Sequence, residues 1–239
     1  MARLSQVLDT LESFHGPQTA RWPTDPYRFL VWWHCGYPAS EERCSRGWDS
    51  LNEEIGTSAE KLLKTQSSRL ARALKSGGMI PELRAGRLKQ IAQRVQEQFD
   101  GDLRSALSRL PLSQARALLK KFPGIAAPGA DRIILFAGIA TVAAVPSSCP
   151  EVLVRIESGH PHETYNANYR DAQQIMQSQV SDTFAARTRA YLLVQQHGRQ
   201  VCKRSSPQCS ICPVAKSCSF FAGISGTRPR AARRGARRE

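Results

Sequence analysis

Residues 113–138 read SQARALLKKFPGIAAPGADRIILFAG. An amphipathic helix over 113–121 runs into a Pro123-Gly124 turn, and a second apolar helix starts near Pro128. So short a hairpin leaves backbone N–H groups pointing outward at the turn, and the start of the second helix adds its positive dipole end. That arrangement binds a phosphate without needing a cationic side chain. Lys120 and Lys121 flank the turn and add charge, so Lys120, Lys121, Gly124 and Ala126 form a candidate DNA-contact set. An ordinary helical hairpin has the same pattern, so the decision rests on what surrounds it.

Downstream, Cys202, Cys209, Cys212 and Cys218 fall in a C-x6-C-x2-C-x5-C run. Four thiols so close in sequence can converge on one centre without help from the rest of the chain. Four sulfurs and no histidine in the run suit either tetrahedral zinc or a [4Fe–4S] cluster, and the spacing does not choose between them. Such a metal is mainly structural, stapling a loop with little apolar content of its own. Lys203 and Arg204 lie between the first two cysteines, where a fixed loop holds them outward toward DNA phosphate. Cys35, Cys44 and Cys149 are scattered and read as small buried hydrophobes.

The chain has 239 residues and a formal charge of +14. Its last twelve residues, RPRAARRGARRE, supply +5 of that charge and read as disordered, leaving a body of about +9. A basic body with a basic tail points to a polyanion, most simply nucleic acid. No run approaches the roughly 18–20 apolar residues of a membrane span. The N-terminal MARLSQVLDTLESF lacks the apolar block of a secretory signal, so the expected compartment is the cytoplasm, where clustered cysteines favour metal over disulfide.

The pattern is all-α. Helices are expected at 3–14, from Asp25-capped Pro26, and at about 40–53, 58–75, 82–99, 103–109 and 113–121, then at 151–157, 168–179 and 181–197. Thr57 with Glu60 fits a capping box. Trp32 and Trp33 lie in an apolar helix and read as core.

FPGIAAPGADRIILF is similar to the helix–hairpin–helix of the endonuclease III superfamily of DNA glycosylases, and CKRSSPQCSICPVAKSC resembles the four-cysteine loop of the same family. DPYRFLVWWHCGYPASEERC falls where that family has its first barrel helix, and the order of motifs agrees from about Asp25 to Cys218. The resemblance implies a two-lobed all-α fold: a six-helix barrel lobe over 28–140 containing the hairpin 113–138, and an iron–sulfur cluster lobe over 141–222. The first 27 residues would join the cluster lobe, and 223–239 would be the free basic tail. It implies a [4Fe–4S] cluster on the four cysteines, with Zn2+ as the alternative. It also implies a monomer acting on double-stranded, damaged DNA with the target base flipped out of the stack.

At the catalytic positions the chain departs from the family. Where lyase-active members carry lysine, this sequence has Pro128, which has no amine to form a Schiff base. Where members carry the aspartate, a gapless match places Pro146, with Ser147 beside it. Ala126 replaces the second hairpin glycine and is expected to tolerate positive φ poorly. Glu151, one helical turn past Pro146, is the candidate substitute carboxylate; its other reading is a helix-start acid favoured by the dipole. Asp131 reads as an acid of the first turn with a capping role, and His34, His160, His162 and His197 form no metal constellation in the sequence. The function implied is a DNA N-glycosylase without lyase activity. A catalytically silent DNA-binding iron–sulfur protein and a zinc-stapled nucleic-acid-binding protein are the alternatives.

Overall fold

Asp25 opens the second helix as expected: its carboxylate accepts from the Arg28 amide at 2.9 Å, and Pro26 fills the first helical position, where no N–H is needed. The computed structural model describes residues 4–226, so the expected tail lies outside it from residue 227 onward. Among the described residues the regular structure is helical throughout, with no strand. The helices are α1 Leu4–His15, α2 Pro26–His34, α3 Glu41–Glu54, α4 Ala59–Lys64, α5 Ser67–Ala73, α6 Pro81–Phe99, α7 Leu103–Ser108, α8 Leu112–Leu119 and α9 Ala127–Phe136. They continue as α10 Glu151–Glu157, α11 Tyr165–Gln179, α12 Phe184–Gln200 and α13 Ser219–Ile224.

Three expectations from the sequence need correction. The single helix at 58–75 is two, broken where Thr65 and Gln66 turn extended. The cap of α4 is Ser58, whose side chain accepts from the Lys61 amide at 3.3 Å, and not Thr57. The last two long helices are shifted toward 165–179 and 184–200, the first of them capped by Thr164.

The chain divides into two compact units. One comprises residues 19–144 and 182–188. In it α2, α3, α4, α5 and α6 share a core in which Val31, Leu51, Leu62, Leu70, Leu74 and Leu88 are fully buried. Each such side chain contributes about 1.5–3 kcal/mol relative to an exposed one. Gly77 lies hard against this core, since a Cβ built there would fall 1.7 Å from the Cys35 carbonyl oxygen. Any side chain at 77 would therefore push the 75–78 turn off the end of α2.

Two buried guanidinium groups fix this unit. Arg84 of α6 donates to the carbonyls of Cys35, of Leu74 (2.9 Å), of Gly78 (2.7 Å) and of Met79 (3.1 Å). Arg132 of α9 lies 3.7 Å from the centre of the Trp22 ring and pairs with Glu41 Oε1 at 2.6 Å. Arg84 is met by four carbonyls, and Arg132 by one carboxylate and an aromatic face, which lowers the cost of burying each charge.

Among the described residues the other unit comprises 4–18, 145–181 and 189–226. Here Arg189 of α12 pairs with Asp9 (2.8 Å) and Glu12 (2.6 Å) of α1, tying the N-terminal helix to the helix that leads into the four cysteines. Cys149 is buried with its thiol pushed up to about 12 by desolvation, and Gly198 of α12 lets the helix pass against it. Cys35 and Cys44 are also buried, in the first unit, and serve as packing groups.

Candidate functional site

The hairpin turn runs from Lys120 to Ala126. Phe122 and Ile125 are buried beneath it, while Lys120, Lys121, Gly124 and Ala126 are exposed. Gly124 has φ +64, a conformation that costs an L side chain about 1–2 kcal/mol. A Cβ there would also meet His34 Cε1 at 3.2 Å and the Tyr37 ring at 3.4 Å. Ala126 is extended, with φ −98 and ψ −177, and serves as the N-cap residue of α9. The expected strain at Ala126 is therefore absent, because this hairpin asks for positive φ at 124 and not at 126. The amides of Gly124, Ala126 and Ala127 donate to no protein acceptor, and all three residues are exposed, so the turn is open to an external acceptor.

The legs of the hairpin are pinned. Arg116 of α8 pairs with Asp131 of α9 at 2.6 Å, with Asp131 buried. Asp131 thus bridges the two helices instead of capping the second. Below the turn, His34 donates from Nε2 to the Pro123 carbonyl at 2.8 Å. Burial pushes the His34 imidazole down to about 4, so it is neutral at physiological pH and its Nδ1 has no partner. Trp33 stacks on Tyr37 at 4.8 Å, alongside.

The residue after His34 anchors a second exposed element. Gly78, at φ +126, leads into Met79 and Ile80, which are 81% and 60% exposed. Ile80 is held left-handed at φ 54, a strained state for a β-branched residue, and Pro81 then starts α6. The carbonyls of Gly78 and Met79, with that of Cys35, all accept from Arg84. An apolar tip is thus mounted at the end of α2, one residue from the support of the hairpin turn. Helical periodicity does not reveal this tip. Its signal was present in Met79-Ile80-Pro81, where apolar residues fill a helix break instead of a helix face.

In the unit that carries the cysteines, the thiols of Cys202, Cys209, Cys212 and Cys218 are free and line one cavity. The cavity has ≈ 330 Å³ free of protein atoms, part of it open to solvent. Desolvation pushes the Cys202 and Cys218 thiols up and that of Cys212 to about 11. Sulfurs in such surroundings become thiolates when a cation joins them. Among the described residues no three His, Cys, Asp or Glu side chains are grouped so as to hold a single metal ion.

Arg155 of α10 fastens the loop. Its Nη1 lies 3.6 Å from Cys202 Sγ and donates to the Lys203 carbonyl at 2.9 Å, and its Nη2 donates to the Arg204 carbonyl at 2.7 Å. With their backbones held, Lys203 and Arg204 expose their side chains. His197 of α12 also lines the cavity, with Nε2 3.6 Å from Cys212 Sγ and Nδ1 3.1 Å from His15 Nε2. Burial lowers the His197 imidazole to about 4, and His15 is lowered as well, chiefly by burial. The sequence showed no constellation for His197, because its neighbours arrive from α1 and from the cysteine loop.

Pro146 is buried and Ser147 exposed, and neither offers a charge. Glu151 is buried at the start of α10, with Oε1 lacking a hydrogen bond and Arg204 Nε 3.8 Å away. Pro128 lies in the first turn of α9.

No protein-family model matches the sequence, and no curated protein matches it. Solved structures do. A thermostable thymine-DNA glycosylase superposes with a TM-score of 0.70 at 20% identity, over 92% of this chain and 96% of its own. Endonuclease III, in a non-covalent complex with DNA, gives 0.70 at 16% identity over 95% and 100%. The H. pylori 3-methyladenine DNA glycosylase bound to 1,N6-ethenoadenine gives 0.61 at 15% over 83% and 98%. This chain therefore has the all-α helix–hairpin–helix fold of the endonuclease III-type DNA glycosylases. No described helix is long and apolar enough to cross a membrane.

Proposed function

We propose that the protein is a base-excision-repair DNA N-glycosylase that grips damaged double-stranded DNA as a monomer in the cytoplasm. The observation that carries this is the pairing of two exposed elements on consecutive residues, the last of α2 and its C-cap. His34 supports a turn of free amides, and Cys35 supports an apolar tip. Free amides position a phosphate, and an apolar tip is the kind of wedge that parts stacked bases. Lys120 and Lys121 beside the turn, and separately Lys203 and Arg204 on the cysteine loop, add non-specific attraction for a polyanion. The neighbours in fold are glycosylases and a DNA complex, which supports the same reading.

Pro128 offers no amine, so the activity is base excision without strand cleavage. Glu151 is the carboxylate we assign to the chemistry, supported by its buried, unsatisfied oxygen. The four cysteines are the ligands of a [4Fe–4S] cluster. A single zinc ion with Zn–S bonds of about 2.3 Å would draw the sulfurs to about 3.8 Å of one another. The likeness of the fold to endonuclease III and the resemblance of the four-cysteine loop to that family's cluster loop favour the larger unit over zinc. When bound, the cluster would serve as a structural staple. Cys202, Cys209, Cys212 and Cys218 would hold it, while Arg155 orders the loop so that Lys203 and Arg204 meet phosphate.

The test is a panel of damaged-base duplexes incubated with iron- and sulfide-replete protein. Abasic-site cleavage and borohydride trapping are scored separately. Excision that disappears in Glu151→Gln while duplex binding persists is the expected result. Binding with no excision of any base would leave a silent DNA-binding scaffold, the reading that Pro128 and Pro146 favour.

A further inference from the structure

We infer that His197, backed by His15, is a positioning residue that donates a hydrogen bond to Cys212 Sγ and raises the reduction potential of the cluster held by the four cysteines. This rests on the iron–sulfur reading above. His197 is 1% exposed, and its Nε2 is within sulfur hydrogen-bonding range of Cys212 at 3.6 Å. Its ring cannot swing away freely. α12 is pressed against Cys149 through Gly198, where a Cβ would fall 2.5 Å from Cys149 Sγ. On the far side, His15 Nε2 meets His197 Nδ1 at 3.1 Å, and His15 Nδ1 meets Gln200 Oε1 at 3.2 Å.

The tautomers follow from the acceptor. A metal-bound thiolate only accepts, so His197 carries its proton on Nε2 and presents Nδ1 as an acceptor. His15 fills that acceptor with Nε2–H, which leaves its own Nδ1 needing a donor; the Gln200 amide, placed with Oε1 toward it, is therefore assigned the half-turned orientation that presents its nitrogen. Both rings are then neutral and every ring nitrogen is satisfied. The outer ring fixes the tautomer of the inner one, as partners one step removed from a metal commonly do. Hydrogen bonds to cluster sulfurs stabilise the more negative, reduced state and so shift the potential upward.

The experiment uses the full chain, purified with its metal intact. Iron and acid-labile sulfide per chain are measured first, then the midpoint potential, for the wild type, His197→Phe, His197→Gln and His15→Phe. The expected result is unchanged iron and sulfide in all four, with a more negative potential in His197→Phe. His197→Gln, which keeps an N–H donor, should recover most of the shift, and His15→Phe should move the same way by less. A fully loaded His197→Phe with the wild-type potential would overturn the inference. So would loss of iron from folded His197→Phe, which would make His197 a ligand. If His197→Phe does not fold, an unchanged potential in loaded His15→Phe overturns it. Wild-type protein without iron and sulfide would refute the cluster itself, a failure read in the first measurement and distinct from the others.

Discussion

Acid should loosen the hairpin through one imidazole. His34 is neutral and buried, with its titration moved from an ordinary 6.5 to about 4 chiefly by desolvation. Above pH 6.5 both the folded and the unfolded chain hold it neutral, and its contribution to stability is complete. Between 6.5 and 4 the unfolded chain takes up a proton that the folded chain refuses, so stability falls by up to about 1.4 kcal/mol per pH unit. Below 4 both states are protonated and the loss levels off. The depressed value corresponds to about 3 kcal/mol in total. His34→Gln replaces the donor to Pro123 with one that does not titrate. Urea unfolding at steps from pH 7.5 to 4 should show the wild type losing about 3 kcal/mol more than His34→Gln, with His197 cancelling because both proteins contain it. The imidazole Cε1 proton followed by NMR should titrate near 4. A midpoint near 6.5, or parallel stability curves for the two proteins, would refute the reasoning.

Other outcomes follow from the same geometry. Gly124→Ala adds about 1–2 kcal/mol of backbone strain and a contact against His34. It should weaken duplex binding about tenfold in a fluorescence anisotropy titration, with a smaller change in melting temperature. Replacing both Met79 and Ile80 by Ala removes exposed apolar groups, so stability should hold or rise slightly. Base unstacking, read by 2-aminopurine fluorescence in the bound duplex, should fall sharply. Lys203→Ala should lower affinity for every sequence alike and reduce the salt dependence of binding by about one phosphate contact; a sequence-selective loss would exclude a phosphate role.

Much of the architecture is written in local signals. Asp25-Pro26 fixes the start of α2, and α10 falls at 151–157 as its apolar spacing indicates. The four cysteines line one cavity, as their spacing suggests. What stays hidden in sequence are the groups that act at long range. Arg84 and Arg132 count toward a net charge of +14, yet each is a buried internal clamp whose partners come from helix ends and loops as well as from another helix. Asp131 looks like a first-turn acid until Arg116, fifteen residues earlier, is found beside it. His197 acquires meaning only when α1 brings His15 and the loop brings Cys212. The break at Thr65-Gln66 is missed because the apolar spacing runs through it unchanged.

Because the last residue of α2 and its C-cap support the turn at 123–126 and the tip at 78–80, neither can be transplanted alone. Grafting the tip onto another protein without Gly77, Arg84 and the Cys35 carbonyl would deliver a floppy loop. Swapping the hairpin without His34 would leave its apex unbraced. In distant kin, then, sequence drift in the last turn of this helix should be matched by compensating change in both places at once.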